Sequence, residues 1–582
     1  MSHLAILSMH KKCFFRDAFL PVAMVLLATF PAYANNADIS NASRENDRLQ
    51  REQQLQLNND LNNAARSTRP PATYDVPEPQ IQHGKGDGCR QIDHVVLENA
   101  HNISEQVQGE LVHPYEGRCL GVDDIQSLLA DLTKYYIEHG YTTTRAYIPE
   151  QDLTTGTLRV SIVQGTVQNL KLEDGDKDSI NVTGAFPLVE GQAFNIRDFE
   201  QGLDQVNRLA SNHATMDVQP GDKAGDSVVV IKNEPEAPWH VNIANDDYGQ
   251  RSTGRYQTAL TGSYDNALGL NDSFSYTHRQ STPLSEHNKN SVSNNIFFSV
   301  PVGYFTFSAG YSNSAYQSQI VTPGNAILEL AGDSQNVFVK GDYMAWRNQA
   351  NKLDLSATMT QKNTNSYADN QLLEVSSRTL TVIDLMADLT MVLDGGATLD
   401  INGGVSEGVP FWGALQDAPD LDTTSPRAQF TKLVFGSSYN RPFEVADEKF
   451  SIATQLSAQY ALNVLYGSEQ MSIGGPYSVR GFYNTSVAND HGYYTHTDLS
   501  NMQTLWSYEG QDVTARPYLG FDTGYVNGRV SGTPSGSMVG TAVGVGLKYS
   551  AVDMDLFTAK SLVRPGTADE GLTSFFRLSL SF

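Results

Sequence analysis

The sequence is poor in cysteine, in positive charge and in long apolar runs, and each shortage excludes a class of protein. Only three cysteines occur in 582 residues, and none forms the C-x-x-C spacing of a zinc ribbon or a thiol-redox site. Lysine and arginine total 40 against 65 acidic residues, so the formal net charge is −25. Nucleic acid is therefore an unsuitable partner, because phosphate binding needs a basic surface. Beyond residue 34 there is no apolar run long enough for a membrane-spanning helix.

Motifs for catalysis and for cofactor binding are also missing. The sequence has no G-x-S-x-G nucleophile elbow, and Gly474-Gly475 lacks the lysine and hydroxyl residue of a phosphate-binding loop. His491 and His496 have no third ligand at a zinc-binding spacing. We therefore expect no catalytic residue, no metal and no cofactor, and a protein that is not an enzyme.

The first 34 residues have the composition of a secretory signal peptide. An apolar run at 18–30 follows the basic residues Lys11, Lys12 and Arg16. It ends before Ala32-Tyr33-Ala34, which fits an A-x-A cleavage site. Because the run is too short to span a membrane as a helix, removal as a signal is favoured over retention as an anchor helix.

Two cysteines remain once the signal peptide, with Cys13, is removed. Cys89 and Cys119 form an even pair in an exported chain, and exported proteins commonly carry disulfides. We predict one disulfide that closes a loop of about 30 residues and is worth roughly 3 kcal/mol in the chain-entropy model. Two free thiols are the alternative.

Residues 35–88 are polar and contain a segment that favours helix. The segment 40–65 has no proline or glycine and is rich in Gln, Glu and Arg, with only four leucines as large apolar residues. A helix this polar has to lie in water or in a hydrated cavity. Four prolines between residues 70 and 79 then mark an extended linker. A disordered tail is the alternative for the whole region.

Two similar α+β units follow, at 89–165 and 166–236. The first has a strand pattern at 92–97, a helical stripe at 125–136 with Asp123 or Asp124 as its cap, and strand patterns at 146–148 and 158–162. The second repeats the order with a strand at 167–172, a helix stripe at 196–209 and a closing strand at 228–231. Each unit has about the size needed for one sheet with helices on a face.

Residues 237–582 alternate apolar and polar side chains. The pattern is clear at 304–311, 352–360, 450–460, 541–549 and 576–582. Alternation in segments of about ten residues is typical of a transmembrane β-barrel, with lipid outside and water inside. Sixteen strands fit the length, twelve or fourteen also fit it, and a soluble β-sandwich is the alternative fold.

Several motifs together resemble the two-partner secretion transporters of Gram-negative outer membranes, in the haemolysin secretion/activation and contact-dependent-inhibition branch. The resemblance covers nearly the whole mature chain. Its residues are Cys89, Cys119-Leu120, Gly140–Ala146, Gln151-Asp152-Leu153 with Gly156, Tyr248–Arg255, Val479-Arg480-Gly481-Phe482 and Gly520-Phe521-Asp522-Thr523-Gly524.

The resemblance implies an all-β transmembrane barrel of 16 antiparallel strands, two periplasmic POTRA domains and an N-terminal plug helix. It implies export of one large β-helical exoprotein, such as a haemolysin, a contact-dependent growth inhibition toxin or an adhesin, without ATP. It also implies that Arg480 reaches into the lumen and pairs with Asp522. We expect a monomer in the outer membrane, in contact with its lipid and inserted by the barrel assembly machinery, with Phe576, Leu578, Leu580 and Phe582 as the assembly signal.

Two sets of residues are candidates for roles in transport. Arg480 offers a planar fork that matches a carboxylate, and Asp522 faces the lumen if Phe521 faces lipid; a solvated Arg480 is the alternative. For capture of an unfolded partner by strand addition, the candidates are Ile125, Leu128, Leu132, Tyr136 and Tyr147. The alternative for this second set is a role in the domain core alone.

Three other functions compete with secretion. An outer-membrane assembly factor that inserts other barrels is the main alternative, although such proteins usually carry more POTRA units. A passive porin needs no periplasmic domains, and a barrel-embedded hydrolase needs a nucleophile that the sequence lacks.

Overall fold

The computed structural model describes residues 88–173, 179–187, 190–283, 288–321, 327–566 and 569–582. The predicted signal peptide, the predicted helix at 40–65 and the proline-containing linker lie outside the described residues. Along the described chain, two small α+β domains precede a large β-barrel. No helix in these ranges combines the length and the apolar character needed to cross a membrane.

The first domain has a three-stranded sheet packed against helices. In chain order its elements are β1 (Arg90–Ile92), β2 (His94–Glu98), α1 (Glu105–Val112), β3 (Arg118–Leu120), α2 (Val122–Glu138), β4 (Arg145–Tyr147) and β5 (Thr157–Val163). β5 lies in the centre, parallel to β2 and antiparallel to β4. β1 pairs with β3 as a separate ribbon, so the strand expected at 92–97 is interrupted at Asp93, whose backbone N–H donates to the Gly156 carbonyl oxygen (2.7 Å).

The N-terminus of α2 differs from the prediction of an aspartate cap. The capping position is Gly121, and neither Asp123 nor Asp124 precedes the helix. The Asp124 carboxylate lies in the first turn and accepts a hydrogen bond from the Gly121 backbone N–H (2.8 Å), as in a capping box. The helix ends at Glu138, and Gly140 follows with φ of +89°, a conformation that glycine adopts readily at helix C-termini.

The second domain repeats this architecture. Its elements are β6 (Thr166–Leu172), α3 (Val182–Ala185), α4 (Ile196–Asn207), β7 (Thr215–Pro220) and β8 (Asp226–Lys232). β8 is the central strand, parallel to β6 and antiparallel to β7. Ile196, Phe199 and Val206 are fully buried on one face of α4, as the helical spacing predicts.

The rest of the chain forms a closed barrel of antiparallel strands. Its strands are β9 (Trp239–Asp246), β10 (Tyr256–Asp265), β11 (Ser273–Thr282), β12 (Asn290–Val302), β13 (Phe305–Val321), β14 (Ile327–Arg347), β15 (Asn351–Ala368), β16 (Gln371–Leu372), β17 (Arg378–Leu393), β18 (Ala397–Gly408), β19 (Thr431–Val445), β20 (Glu448–Ala461), β21 (Met471–Ile473), β22 (Val487–Asn489), β23 (His491–Asn501), β24 (Gln503–Tyr508), β25 (Gln511–Asn527), β26 (Gly536–Tyr549), β27 (Val552–Val563) and β28 (Leu572–Ser581).

Sixteen of these strands make the wall, which confirms the predicted strand number. β16 is a short addition to β15, β24 continues β23, and β21 and β22 pair with each other away from the wall. The barrel closes where β28 pairs with β9, and Phe582 and Val241 exchange backbone hydrogen bonds of 2.8 and 3.0 Å. Along β25, Phe521 is 53% exposed whereas Asp522 is fully buried, so the apolar side chain faces outward and the acidic one inward.

The second domain contacts the hairpin turns at one mouth of the barrel through α4. Arg347 at the end of β14 lies 3.4 Å from Glu200 and 3.0 Å from Asp204. Gln205 donates to the Gly303 carbonyl oxygen in the β12–β13 turn (3.1 Å). Burial raises the pKa of the Asp198 carboxyl on the same helix. These contacts hold α4 beneath the lumen.

Candidate functional site in the barrel lumen

The longest connection of the barrel, residues 462–490 between β20 and β23, folds inward; we call it the lumen loop. β21 and β22 pair as a small ribbon within it, and the segment 474–486 forms its tip. Gly474 and Gly475 have φ values of +104° and +107°, in the region that favours glycine. The chain turns there, and the Gly474 backbone N–H donates to the Ser478 hydroxyl (2.9 Å).

Arg480 is the charged centre of the tip. Its Nε and Nη2 donate to Asp522 Oδ2 and Oδ1, both at 2.7 Å, and Nη2 also donates to Asp498 Oδ1 at 2.7 Å. The Arg480 backbone N–H adds a bond to Asp522 Oδ2 (2.9 Å). Because the pair is bidentate and buried, it is of the strong kind, and removal of one partner would leave the other charge uncompensated.

His496 stands between the two carboxylates that bind Arg480. Its Nδ1 lies 3.4 Å from Asp522 Oδ1 and its Nε2 lies 3.6 Å from Asp498 Oδ2. Asp498 was not among the residues predicted from the sequence, although the spacing His496-x-Asp498 on a strand places both side chains on one face. His491 lies apart from this group, with its ring stacked on Tyr460 (centroids 4.5 Å apart).

Glycines let the tip approach the wall closely. A Cβ at Gly520 would overlap the Arg480 guanidinium, and a Cβ at Gly540 would overlap the Arg480 carbonyl oxygen. Gly481 has φ of +92°, and a Cβ there would overlap the backbone of Lys560. The motif on β25 therefore supplies both the carboxylate and the space beside it.

The apolar residues of the loop motif complete the contact with the wall. Val479 and Phe482 are at most 1% exposed and pack with Ile473, Val526 and Met538. This cluster joins the loop to β25 and β26. All four residues of the predicted loop motif are thus in contact with the barrel.

The structure divides the candidates for partner capture into two groups. Leu128 and Leu132 are fully buried and Tyr136 is 2% exposed, so these three form the core of the first domain and present no surface to a partner. Burial also raises the pKa of Tyr136 to about 12. Tyr147 is 53% exposed and lies on the edge strand β4, and Ile125 is half-buried.

The other predicted residues lie at the ends of the fold. Cys89 and Cys119 form a disulfide that joins the β1–β3 ribbon of the first domain. Leu578 and Phe582 are 37% and 62% exposed on the outer face, and Phe576 and Leu580 lie on the same face of the strand. Among the described residues, no group of three or more His, Cys, Asp or Glu side chains is arranged to hold a metal ion.

A closed 16-stranded barrel with an inward-folded loop and two α+β domains at one mouth defines an outer-membrane transporter that carries POTRA domains. The family model described as haemolysin secretion/activation protein ShlB/FhaC/HecB matches residues 225–547. Models of the ShlB-type POTRA domain and of a POTRA domain match residues 91–165 and 166–220. The chain belongs to the haemolysin secretion/activation family, which confirms the resemblance seen in the sequence.

Curated relatives and solved structures agree with this assignment. The chain is 30% identical to the hemolysin transporter protein ShlB of Serratia marcescens over 80% of this chain and 81% of that protein. It is 31% identical to the outer membrane transporter CdiB of Escherichia coli over 82% of this chain and 79% of that protein. The structure of CdiB from Escherichia coli matches with a TM-score of 0.83 and 28% identity, covering 92% of this chain and 98% of that one.

The location of the protein follows from the family and the fold. It is an outer-membrane transporter, and its POTRA domains lie in the periplasm, as predicted. The likeness to secretion transporters also favours the predicted function over that of an assembly factor that inserts other barrels.

Proposed function

We propose that the protein exports one large partner protein through its barrel, from the periplasm to the cell surface, without ATP. The relatives are named as a hemolysin transporter and as CdiB, so the expected cargo is a haemolysin, a contact-dependent growth inhibition toxin or an adhesin. Folding of the cargo outside the cell supplies direction, because a folded chain cannot return through the pore. Catalysis plays no part in this mechanism.

The anchored lumen loop is the observation that carries the proposal. A simple pore needs no buried ion pair to hold a loop inside its lumen, whereas a transporter that must seal and then open needs a loop held in a defined place. Beneath the loop, the lumen contains a cavity of about 1420 Å³ that the second POTRA domain also lines, through Gln201, Asp204 and Gln205 of α4. The periplasmic domains and the loop therefore face the same space.

A gene for a very large exported protein beside the gene of this chain would support the proposal, and co-expression with that protein tests it. The wild type is expected to release that protein into the medium or onto the cell surface, and Arg480→Ala to abolish release while the barrel stays heat-modifiable on gels. Arg516→Ala is the matched control, because Arg516 is also a barrel arginine but lies 3.7 Å from its partner Asp555 and is 38% exposed. Normal release by Arg480→Ala would contradict the role of the loop.

The POTRA domains are proposed to capture the unfolded partner at the edge strand β4. Tyr147 supports this role through its exposure at that edge, and an edge strand can accept an extended chain by main-chain hydrogen bonds. Ile125 is a second contact on the neighbouring helix. Tyr147→Ala is expected to weaken partner capture without unfolding the domain, because the side chain is outside the core.

Two further roles rest on the family resemblance. The polar segment 40–65 is proposed to plug the pore at rest, in which case its deletion raises single-channel conductance. The outward residues Phe576, Leu578, Leu580 and Phe582 are proposed to be read by the barrel assembly machinery, which inserts the protein into the outer-membrane lipid as a monomer.

A further inference from the structure

The first arm of the lumen loop, residues 462–473, carries a buried acidic residue that the family motif does not include. Glu469 ends a short 3-10 turn and is 2% exposed. Its Oε1 lies 2.6 Å from Lys362 Nζ on β15, and its Oε2 lies 3.0 Å from Lys432 Nζ on β19. Lys432 Nζ also donates to the Glu469 carbonyl oxygen (3.1 Å). A single carboxylate is therefore bound by two lysines from two strands.

Neighbouring polar groups hold the same arm against the wall. Gln459 on β20 donates to the Glu469 carbonyl oxygen (3.0 Å). The Leu465 backbone N–H donates to Asp490 Oδ1 (2.9 Å), and the Arg529 backbone N–H donates to Asp490 Oδ2 (3.0 Å). These contacts keep Glu469 in reach of the two lysines.

The Glu469 and Arg480 contacts lie on two separate parts of the wall. Glu469 binds lysines of β15 and β19, Arg480 binds aspartates of β23 and β25, and β20 separates the two sets in the closed sheet. The loop is negative where the wall is positive, at Lys362 and Lys432, and positive where the wall is negative, at Asp498 and Asp522. The lumen loop thus runs along the inside of the wall between two charged contacts of opposite sign.

The two contacts differ in how readily they release. Arg480 makes a planar, bidentate pair and has apolar neighbours on both sides in sequence. A lysine ammonium is a point charge on a flexible four-carbon stem, without a fork that fixes its direction. Separation of Glu469 therefore requires less coordinated rearrangement than separation of Arg480.

The cavity shows what the first arm does. Lys362, Lys432, Glu469 and Met471 line the lumen cavity together with α4 of the second POTRA domain. The arm and α4 therefore border the same cavity. A chain that enters this cavity from the POTRA domain comes into contact with the arm.

We propose that Glu469, Lys362 and Lys432 form a second, releasable anchor that holds the first arm of the lumen loop inside the lumen at rest and opens during transport. The three are positioning residues, because they act on the pore through the loop. The Arg480 contact stays in place and serves as the hinge of this movement. The inference rests on the proposed secretion function for its role in transport, but not for its effect on the resting pore.

Single-channel recording of the full-length protein in planar lipid bilayers tests the effect on the pore. Glu469→Gln keeps the shape of the side chain and removes its charge, so the arm is expected to detach and the conductance to shift to a larger open state than in the wild type. Lys340→Met is the matched control, because Lys340 is a barrel lysine paired with Asp342 (2.7 Å) on β14 and away from the loop. The same comparison with residues 40–65 deleted prevents a plug from hiding the change.

Charge reversal separates positioning from a general effect on stability. Glu469→Lys alone is expected to open the pore, because three positive charges then meet. Adding Lys362→Glu and Lys432→Glu restores attraction with inverted signs and is expected to return the conductance to that of the wild type. Unchanged conductance in Glu469→Gln, with the barrel heat-modifiable, would overturn the anchor, as would failure of the triple variant to recover while it remains folded.

A reversible crosslink tests the release step. In a Glu469→Cys, Lys432→Cys variant, a bifunctional methanethiosulfonate reagent that spans the length of a Glu–Lys pair is expected to crosslink the two thiols and stop secretion of the co-expressed partner, and reductant is expected to restore it. The wild type treated with the same reductant controls for the disulfide of the first POTRA domain. Secretion through a fully crosslinked protein would show that the anchor does not open during transport. If the wild type itself secreted no partner, the proposed function would fail, whereas the conductance results would still decide whether the anchor exists.

Discussion

The first POTRA domain and the barrel lumen hide opposite kinds of side chain from water. In the domain the least exposed side chains are apolar, with Leu128 and Leu132 fully buried. In the lumen they include charges, since Arg480, Asp522 and Glu469 are at most 3% exposed. A domain in water folds by removing apolar surface from solvent, whereas a membrane barrel leaves that surface to lipid and turns its polar residues inward.

The difference shows what holds each region in place. An apolar core tolerates change according to volume and packing. A buried charge instead depends on one or two particular partners, because an unpaired charge in a low-dielectric site is costly. The POTRA domain is therefore specified by a pattern spread over many residues, and the lumen loop by a few pairs.

The largest expected effect is in the lumen. Asp522→Ala removes three of the four hydrogen bonds that the structure gives Arg480 with carboxylates, and loss of one partner of a buried pair costs about 3–5 kcal/mol. We expect detachment of the loop tip and loss of secretion, measured as partner in the medium and as protease cleavage of the loop. Asp498→Ala leaves the bidentate pair intact and should have the smaller effect. Equal effects of the two variants would show that the bidentate geometry is unimportant.

Truncation of a buried apolar side chain in the first POTRA domain should destabilise the protein nearly as much, but only within that domain. Leu128→Ala opens a cavity in a fully buried site, for which about 2–5 kcal/mol is typical. Denaturant unfolding of the full-length protein in detergent should show the POTRA transition at lower concentration, with the barrel still heat-modifiable. Val122→Ala is the control at the start of the same helix, because Val122 is 42% exposed. An equal loss of stability in the Val122→Ala control would mean that the substitutions weaken α2 itself and not its packing in the core.

The smallest effect is expected for a charge pair on the POTRA surface. Arg159 and Glu98 are 3.1 Å apart, with side chains 62% and 38% exposed, and exposed pairs contribute about 0–1 kcal/mol. Arg159→Ala should therefore leave POTRA unfolding and secretion close to the wild type. A loss of secretion comparable to that of Asp522→Ala would show that exposed charges on the POTRA surface matter as much as buried charges in the lumen.

The parts of the structure that repeat were predictable from the sequence. Alternation along segments such as 450–460 indicates a barrel because each strand repeats the same rule, and the helical spacing in α2 and α4 marks the POTRA cores. The cap of α2 was not predictable in detail, since Gly121 and Asp124 form one capping box that places the aspartate inside the helix.

The parts of the structure that depend on contacts between residues distant in sequence were harder to predict. The pairing of Arg480 with Asp522 was expected only through the family motifs. Asp498 and Glu469 belong to no such motif, and their partners become visible only when strands from different parts of the chain lie side by side. Leu128 and Tyr147 were both predicted to bind the partner, and only the structure shows that Leu128 is buried whereas Tyr147 is exposed.

The seam between β9 and β28 has a consequence for how the protein is made. Asn242 donates to Ser581 (2.8 Å) across a separation of 339 residues, so the first strand of the cylinder keeps an unsatisfied edge until the final strand has been synthesised. Folding with such distant pairing is slow, and open strand edges invite aggregation. The edge of β9 therefore stays open while the polypeptide crosses the periplasm, and a product that stops before β28 cannot close the barrel.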